Sequence, residues 1–258
     1  MIPRIIHQIY LSGTLPAPLQ ANVDRLKAAN PAYEHRLFDA ARAEAFIARR
    51  YGPEMLALYR RIDPRYGAAR ADLLRHLIIF DSGGVYLDMK SSFDRPIDDA
   101  IRDDDHYVLT QWRNGPGEAN AGWGLHHDLS GVPGGEYLSH FVIAEPGHVF
   151  SASAIARISR NIRAYKPWSA VGRTGVLRTT GPIAYTLAVH PLLADHPHRF
   201  AEEAELGVVY SIGDDYDHQA AFRAHYSTLT VPVIMLSRSG RALNRVFVKL
   251  REIKTYFR

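Results

Sequence analysis

Three ionisable side chains within one short stretch have the types and the spacing to do chemistry. They are Asp72, Arg75 and Asp88, in the segment AARADLLRHLIIFDSGGVYLDMK at residues 68–90. Ionised carboxylates accept charge-assisted hydrogen bonds and an arginine donates a planar fork of them, so the set suits a ligand rich in hydroxyl groups. The elements that must position these groups follow from the spacing. Leu73 with Leu77, and Leu74 with Ile78, recur four apart and make one apolar face of a helix. Asp72, Arg75 and His76 fall at i, i+3 and i+4 and share another face. Gly83-Gly84 ends the helix, since glycine takes left-handed backbone without steric cost. Val85-Tyr86-Leu87 then reads as a buried strand that delivers Asp88 to its carboxyl end, where open α/β sheets bind ligands. Taken in isolation, Asp72 and Arg75 also fit a solvated ion pair on a surface helix, worth about 0.3–0.5 kcal/mol.

Read in order, Asp72-x-x-Arg75, an apolar stretch and Gly83-Gly84-Val85-Tyr86-Leu87-Asp88 resemble the sugar-binding region of DXD-containing glycosyltransferases. The pattern is most similar to glycosyltransferase family 32, which includes yeast-type α-mannosyltransferases and bacterial capsule and lipopolysaccharide enzymes. The catalytic domains of large clostridial glucosylating toxins are similar more distantly. The opening IPRIIHQIYL at residues 2–11 also resembles the family, as do Pro146-Gly147-His148 and Thr179-Thr180-Gly181-Pro182-Ile183-Ala184. The resemblance implies a GT-A, Rossmann-like fold. It also implies transfer of a hexose from a UDP- or GDP-linked sugar to a glycan or lipid-linked acceptor in bacterial surface polysaccharide synthesis, with retention of configuration. Asp72 and Arg75 would grip the donor sugar, and Asp88 would reach the ribose, the sugar or a metal. Further implied donor contacts are His7, Gln8, Ile9 and Tyr10 at or beneath the base, together with Asp39, Tyr86 and Gly181. For His7 and Gln8 a partnered place in the core is the leading expectation, because buried polar groups usually have structural partners.

One position departs from the family. Where a second Asp would follow the first by two residues, this chain has Lys90. In the family that Asp holds the Mn²⁺ or Mg²⁺ bridging the diphosphate, and an ammonium donates hydrogen bonds but accepts none. Two readings stay open. Lys90 itself supplies the positive charge opposite the diphosphate, as the P-loop lysine does. Alternatively a metal is kept by Asp88 with His225, which the resemblance places near the diphosphate; a retained but weakened metal dependence is the expectation. The cluster Asp214, Asp215, Asp217 and His218 reads as a solvated turn, since it lacks the fixed spacing of a calcium loop.

The wider composition sets bounds. With 258 residues, 47% apolar and 22% charged, the chain is of ordinary globular type and long enough for a substantial core. The absence of cysteine excludes disulfides and thiolate metal sites and suits a reducing cytosol. The N-terminal apolar run is too short for a secretory signal, so a cytoplasmic protein is expected. Net charge is +4, yet seven Lys/Arg against one acid fall from Arg238 onward, so the basic excess belongs to the tail. A nucleic-acid role therefore has little support, because no binding module accompanies the charge.

Strands are expected at Ile2–Leu11, Tyr33–Phe38 (ending on Asp39), Val85–Leu87, Tyr107–Trp112, Phe141–Ala144 and Val208–Tyr210. Helices are expected at Leu19–Ala29, at Ala40–Arg61 with a break at Gly52-Pro53, and at Ser151–Tyr165. This alternation implies an α/β fold with a mostly parallel sheet flanked by helices. The catalytic domain is expected over residues 1–236, its donor half about 1–112 and its acceptor half about 113–236. The glycine-rich segment 114–135, with Trp123, His126, His127 and Asp128, reads as an ordered binding loop. Residues 237–258 form a basic amphipathic helix with a Leu243, Val246, Phe247, Leu250, Ile253 and Phe257 stripe flanked by Arg241, Arg245 and Lys249. Such a helix either lies on an anionic membrane, here the inner face, or packs on the domain. Two rival functions stay in view: a glycoside hydrolase pairing Asp88 with Glu136 or Glu145, and a catalytically degenerate sugar-nucleotide or membrane-surface binding protein.

Overall fold

The computed structural model describes residues 1–213 and 226–256, with side chains placed as far as residue 250. The first half alternates strand and helix: β1 (Ile5–Ile9), α1 (Ala17–Ala29), β2 (Glu34–Phe38), α2 (Ala40–Arg60), α3 (Gly67–Ser82) and β3 (Gly84–Leu87). After the short strand β4 (Ser92–Phe93) come β5 (Tyr107–Leu109), β6 (Phe141–Ala144), α4 (Val149–Ala164), α5 (Gly172–Thr179) and α6 (Pro182–Val189). The chain then runs through β7 (Arg199–Phe200), α7 (Glu203–Leu206) and β8 (Val208–Val209) to a last helix, α8 (Arg238–Tyr256).

Six strands form one sheet in the order β2-β1-β3-β6-β5-β7. All run in one direction except β6, which is antiparallel to both β3 and β5. The sheet is therefore mostly parallel, as the alternation implies. Successive strand residues point to opposite faces. Tyr86, Tyr107, Val142 and Ala144 join the larger core with residues of α2, α3, α4 and α6. Val85, Leu87, Val108, Phe141 and Ile143 join a second core with Ile6, Leu26 of α1 and Leu206 of α7. The late strand β8 pairs not with the main sheet but with β4, in a separate two-stranded ladder. The expected strand at 107–112 stops at Leu109, after which Gln111 makes only an isolated bridge to Tyr137.

The glycine pair does what its type requires. Gly83 and Gly84 have φ of 62° and 97°, conformations that side-chain-bearing residues rarely adopt. A Cβ on Gly84 would lie 2.5 Å from the Ile5 carbonyl oxygen, and one on Gly83 would lie 2.7 Å from the Pro146 nitrogen. Only glycine lets α3 turn straight into β3 against β1. At Gly52, φ is 78° and breaks α2 at the expected place.

The tail departs from one of its two expected dispositions. On α8, Leu243, Val246 and Leu250 of the expected stripe are 55%, 56% and 60% exposed, so these three are not packed on the domain, whereas Phe247 is half-buried. Near its start the Asn244 side-chain amide donates to the Pro167 carbonyl.

Candidate functional site

The carboxyl ends of β1, β2 and β3 lie side by side, because Ile9 pairs with Phe38 and His7 with Tyr86. Onto this edge α3 presents Asp72 and Arg75, and β3 presents Asp88. Arg75 Nη2 lies 2.9 Å from Asp72 Oδ1 and 3.4 Å from Asp88 Oδ1, so one guanidinium joins both carboxylates. The solvated-pair reading fails here, since Asp72 and Arg75 are only 6% and 4% exposed. The remaining guanidinium valence is also engaged. Arg75 Nη1 donates to the Ser139 carbonyl, and its Cζ lies 4.7 Å from the centre of the Tyr86 ring. Tyr86 donates its hydroxyl to Asp88 Oδ1 at 2.6 Å. Thr180, just before the Gly181 cap of α6, donates to Asp72 Oδ2 at 2.9 Å.

Burial sets the electrostatics. It pushes the Asp72 carboxyl up to about 6 despite the opposing pull of Arg75 and Thr180. For Arg75 the desolvation that would lower its pKa is outweighed by Tyr86, Asp88 and Asp72, and it stays a cation. Tyr226 is pushed up to about 12, first by burial and then by the facing Asp72 carboxylate, with Tyr210 and Asp88 also contributing. It completes the rim of the cluster. Asp88 keeps a 27% exposed side chain and is the member of the trio open to a ligand.

The other expected donor residues sort by depth. His7 and Gln8 are fully buried. The His7 Nε2–H donates to the Gly83 carbonyl at 2.9 Å, and Gln8 Oε1 accepts from His35 at 2.9 Å. Desolvation lowers the pKa of His7 to about 4, so the ring is neutral at pH 7. His7 thus pins the turn that carries β3. Ile9 and Tyr10 lie nearly buried at the end of β1. Asp39 is exposed at the end of β2, where its carboxylate accepts from Arg42 N at 2.7 Å and caps α2. His225, with Asp214, Asp215, Asp217 and His218, lies outside the described residues.

The hydrolase pairing does not form. Glu145 follows Ala144, which pairs with Gly84 at the opposite end of β3 from Asp88. Four strand residues place the two about 13 Å or more apart, beyond the span across which two carboxylates cleave a glycosidic bond. Glu136 is already engaged, accepting from Trp112 Nε1 and bonded to His126 Nε2, each at 2.8 Å. That pair of bonds instead ties Trp112 and the 114–135 loop together through Glu136. It holds Trp123, 47% exposed, edge-on to Trp112 at 5.2 Å.

Residues 16–107, which contain the whole Asp72–Arg75–Asp88 cluster, match the family model described as a glycosyltransferase sugar-binding region containing a DXD motif. Through this segment the chain is similar to the DXD-containing glycosyltransferases. An uncharacterised glycosyltransferase of Acanthamoeba polyphaga mimivirus is 34% identical over 91 residues, 34% of this chain and 36% of the relative. Inositol phosphoceramide mannosyltransferase 3 of Schizosaccharomyces pombe is 30% identical over 115 residues, 45% of this chain and 30% of the relative. The chain spans between 25% and 36% of the length of the curated relatives it matches. Among solved structures, the ligand-free glycosyltransferase domain of the YGT toxin superposes with a TM-score of 0.55 at 9% identity, over 95% of this chain and 89% of that one. The same domain bound to UDP gives 0.54 at 8% identity, over 82% of this chain and 81% of that one. The fold is that of GT-A glycosyltransferase domains.

Within this sugar-binding region, the divalent cation that the motif implies does not fit the described donors. No three His, Asp or Glu side chains converge on a cation site among the described residues. Asp88 is a single carboxylate shared with Tyr86 and Arg75, and the residue two positions on is Lys90, which brings no oxygen ligand. A hard cation needs several oxygen ligands.

Several functional groups escaped the sequence reading. Tyr210 lies under the Lys90 ammonium at 3.7 Å from its ring centre. Tyr226 and the Ser139 carbonyl carry no sequence signal of their role. Thr180 lies in a segment that resembles the family, but its link to Asp72 spans 108 residues.

Proposed function

We propose that this chain transfers a hexose from a nucleotide diphosphate sugar to a glycan or lipid-linked acceptor, with retention. The observation that carries the reading is the Asp72–Arg75–Asp88 cluster, built at the carboxyl ends of parallel strands inside the sugar-binding region. The mannosyltransferase name of a relative and the UDP bound to a structural neighbour support it. Asp72, fixed by Arg75 and Thr180, and Asp88, fixed by Tyr86, accept hydrogen bonds from donor hydroxyls. Ile9, Tyr10 and Asp39 lie at the adjoining strand ends, where the base would rest. In the transfer, the acceptor oxygen bonds to the anomeric carbon as the bond from that carbon to the β-phosphate oxygen breaks. The acceptor proton passes to the departing phosphate, which itself serves as the base. Trp123, held edge-on by Trp112, which meets Tyr210 edge-on in turn, offers the acceptor side an exposed aromatic platform.

A thermal-shift panel of UDP- and GDP-sugars tests this reading, read together with release of the free nucleotide. A ligand held at about 100 times its Kd stabilises by about 2.7 kcal/mol, a rise of about 5–10 °C for a chain of this size. A shift accompanied by nucleotide release is expected with one donor. A shift without release in any acceptor mixture points to the degenerate binding protein, and no shift refutes the donor site.

The resemblance to capsule and lipopolysaccharide enzymes extends the proposal to surface polysaccharide assembly at the inner face of a bacterial membrane. The exposed Leu243, Val246 and Leu250 beside Arg241, Arg245 and Lys249 support membrane contact, since an anionic surface matches both faces. No described helix is long and apolar enough to cross a membrane. Truncation after Gly240 is expected to abolish sedimentation with phosphatidylserine-containing vesicles while the melting temperature holds. Sedimentation that persists would remove α8 from this role.

A further inference from the structure

We propose that Lys90 takes the place of the divalent cation, so that this chain binds the diphosphate of its donor without metal. The inference rests on the donor-site reading above and concerns the charge that the site offers. The cluster contains two carboxylates, Asp72 and Asp88, joined by one cation, Arg75, and Lys90 follows Asp88 by two residues. An aspartate at position 90 would leave three acids facing one arginine, and a dianionic donor could approach only after a divalent ion had bound. With Lys90 the acids are already balanced.

The position of Lys90 is fixed in advance. Its carbonyl accepts from Ile212 N at 2.8 Å, and Ser91 N donates to the Asp88 carbonyl at 2.9 Å. The Asn22 amide donates to the carbonyls of Met89 and Ser91, at 3.1 and 2.8 Å. Ser91 Oγ donates to the Tyr210 carbonyl at 2.8 Å, which ties the turn to the strand segment carrying the aromatic ring. The Lys90 ammonium then rests on the Tyr210 ring, 3.7 Å from its centre. Lys90 follows Asp88 by two residues, on the turn that the Ser91 N–H closes onto the Asp88 carbonyl. The ammonium therefore sits on the wall of the same site.

An aromatic face holds a cation in place without neutralising it, unlike a carboxylate. Arg75, by contrast, already serves Asp72, Asp88 and the Ser139 carbonyl. Among the described residues at Asp72, Arg75 and Asp88, Lys90 is the cation left to meet phosphate. As the anomeric bond breaks, negative charge grows on the departing diphosphate, and a preorganised ammonium there stabilises it most where water is excluded.

The test is calorimetric titration of the intact chain with UDP and with GDP, in EDTA and in 1 mM Mn²⁺. The wild type is expected to bind one of them in EDTA, within about threefold of its affinity in Mn²⁺. Lys90→Ala is expected to weaken the EDTA binding by about tenfold or more, the loss of one charge-assisted contact, and Lys90→Arg to retain it. Lys90→Asp is expected to lose binding in EDTA and regain it with Mn²⁺. Wild-type binding that requires Mn²⁺, or Lys90→Ala binding unchanged in EDTA, overturns the proposal and leaves the donor reading standing. No binding of either nucleotide in either buffer overturns both. Melting temperatures of the unliganded variants report folding, and Lys90→Arg keeps the test decisive if Lys90→Asp fails to fold.

Discussion

Arg75→Met is expected to lower the melting temperature by about 10 °C or more at pH 8 and to abolish transfer. Removing one partner of a buried ion pair costs about 3–5 kcal/mol, because the other charge is left in a low-dielectric site. For a chain of this size each kcal/mol moves the melting temperature by about 2–4 °C. Arg75 is the extreme case, since it is the cation shared by Asp72 and Asp88, whose Thr180 and Tyr86 partners are neutral hydroxyls. The double variant Asp72→Asn/Arg75→Met, with no buried charge to strand, is expected to recover most of the stability and none of the transfer. The pH dependence gives the sign. Burial already holds the Asp72 carboxyl at about 6 against an ordinary 3.8, so its contribution favours folding below about 3.8 and is lost as pH rises through about 6. Without Arg75 that pKa climbs further, so the deficit of Arg75→Met relative to wild type should be largest at pH 8 and should shrink towards pH 5. Equal deficits at both pH values would show that Arg75 stabilises by packing on Tyr86 rather than through charge.

Much of this architecture is legible in the chain, for identifiable reasons. The helix–Gly83-Gly84–strand unit can be read because only glycine fits two successive left-handed residues against Ile5 and Pro146. The β1 run and the break at Gly52 announce themselves by β-branched residues and backbone chemistry in the same way. What stays hidden is whatever depends on closure in space. A polar face carrying Asp72, Arg75 and His76 looks alike whether it meets water or a closed site. Here it is closed by the α5–α6 junction through Thr180 and by the segment before β6 through the Ser139 carbonyl. The reversed direction of β6 is equally silent, because four apolar residues read the same both ways. That reversal carries Glu145 to the far end of the sheet, where it pairs with His106 at 2.9 Å and is lost to the site. The amphipathic period of α8 likewise fits a docked or a free helix, and only the exposure of Leu243, Val246 and Leu250 separates them.

Asp88→Asn should give the opposite phenotype to Arg75→Met: a fold of unchanged stability and transfer reduced by about 100- to 1,000-fold. Asp88 ends β3 with part of its side chain open to solvent, and Arg75 keeps its 2.9 Å partner in Asp72 when Asp88 is neutralised. The Tyr86 hydroxyl can donate to an asparagine carbonyl as it does to Asp88 Oδ1 at 2.6 Å. Shape and stability are therefore conserved while the charge is removed. What disappears is a charge-assisted acceptor, about twice as strong as a neutral one, aimed at the ligand side of the cluster. Losses of one preorganised electrostatic contact fall in this range of rate. Donor hydrolysis without acceptor, measured beside transfer, locates the effect. If both fall together, Asp88 acts on the donor; if only transfer falls, it acts through the acceptor. Full activity in Asp88→Asn would leave Asp72 as the carboxylate that holds the sugar, and the strand end would be a scaffold for Tyr86 and Lys90.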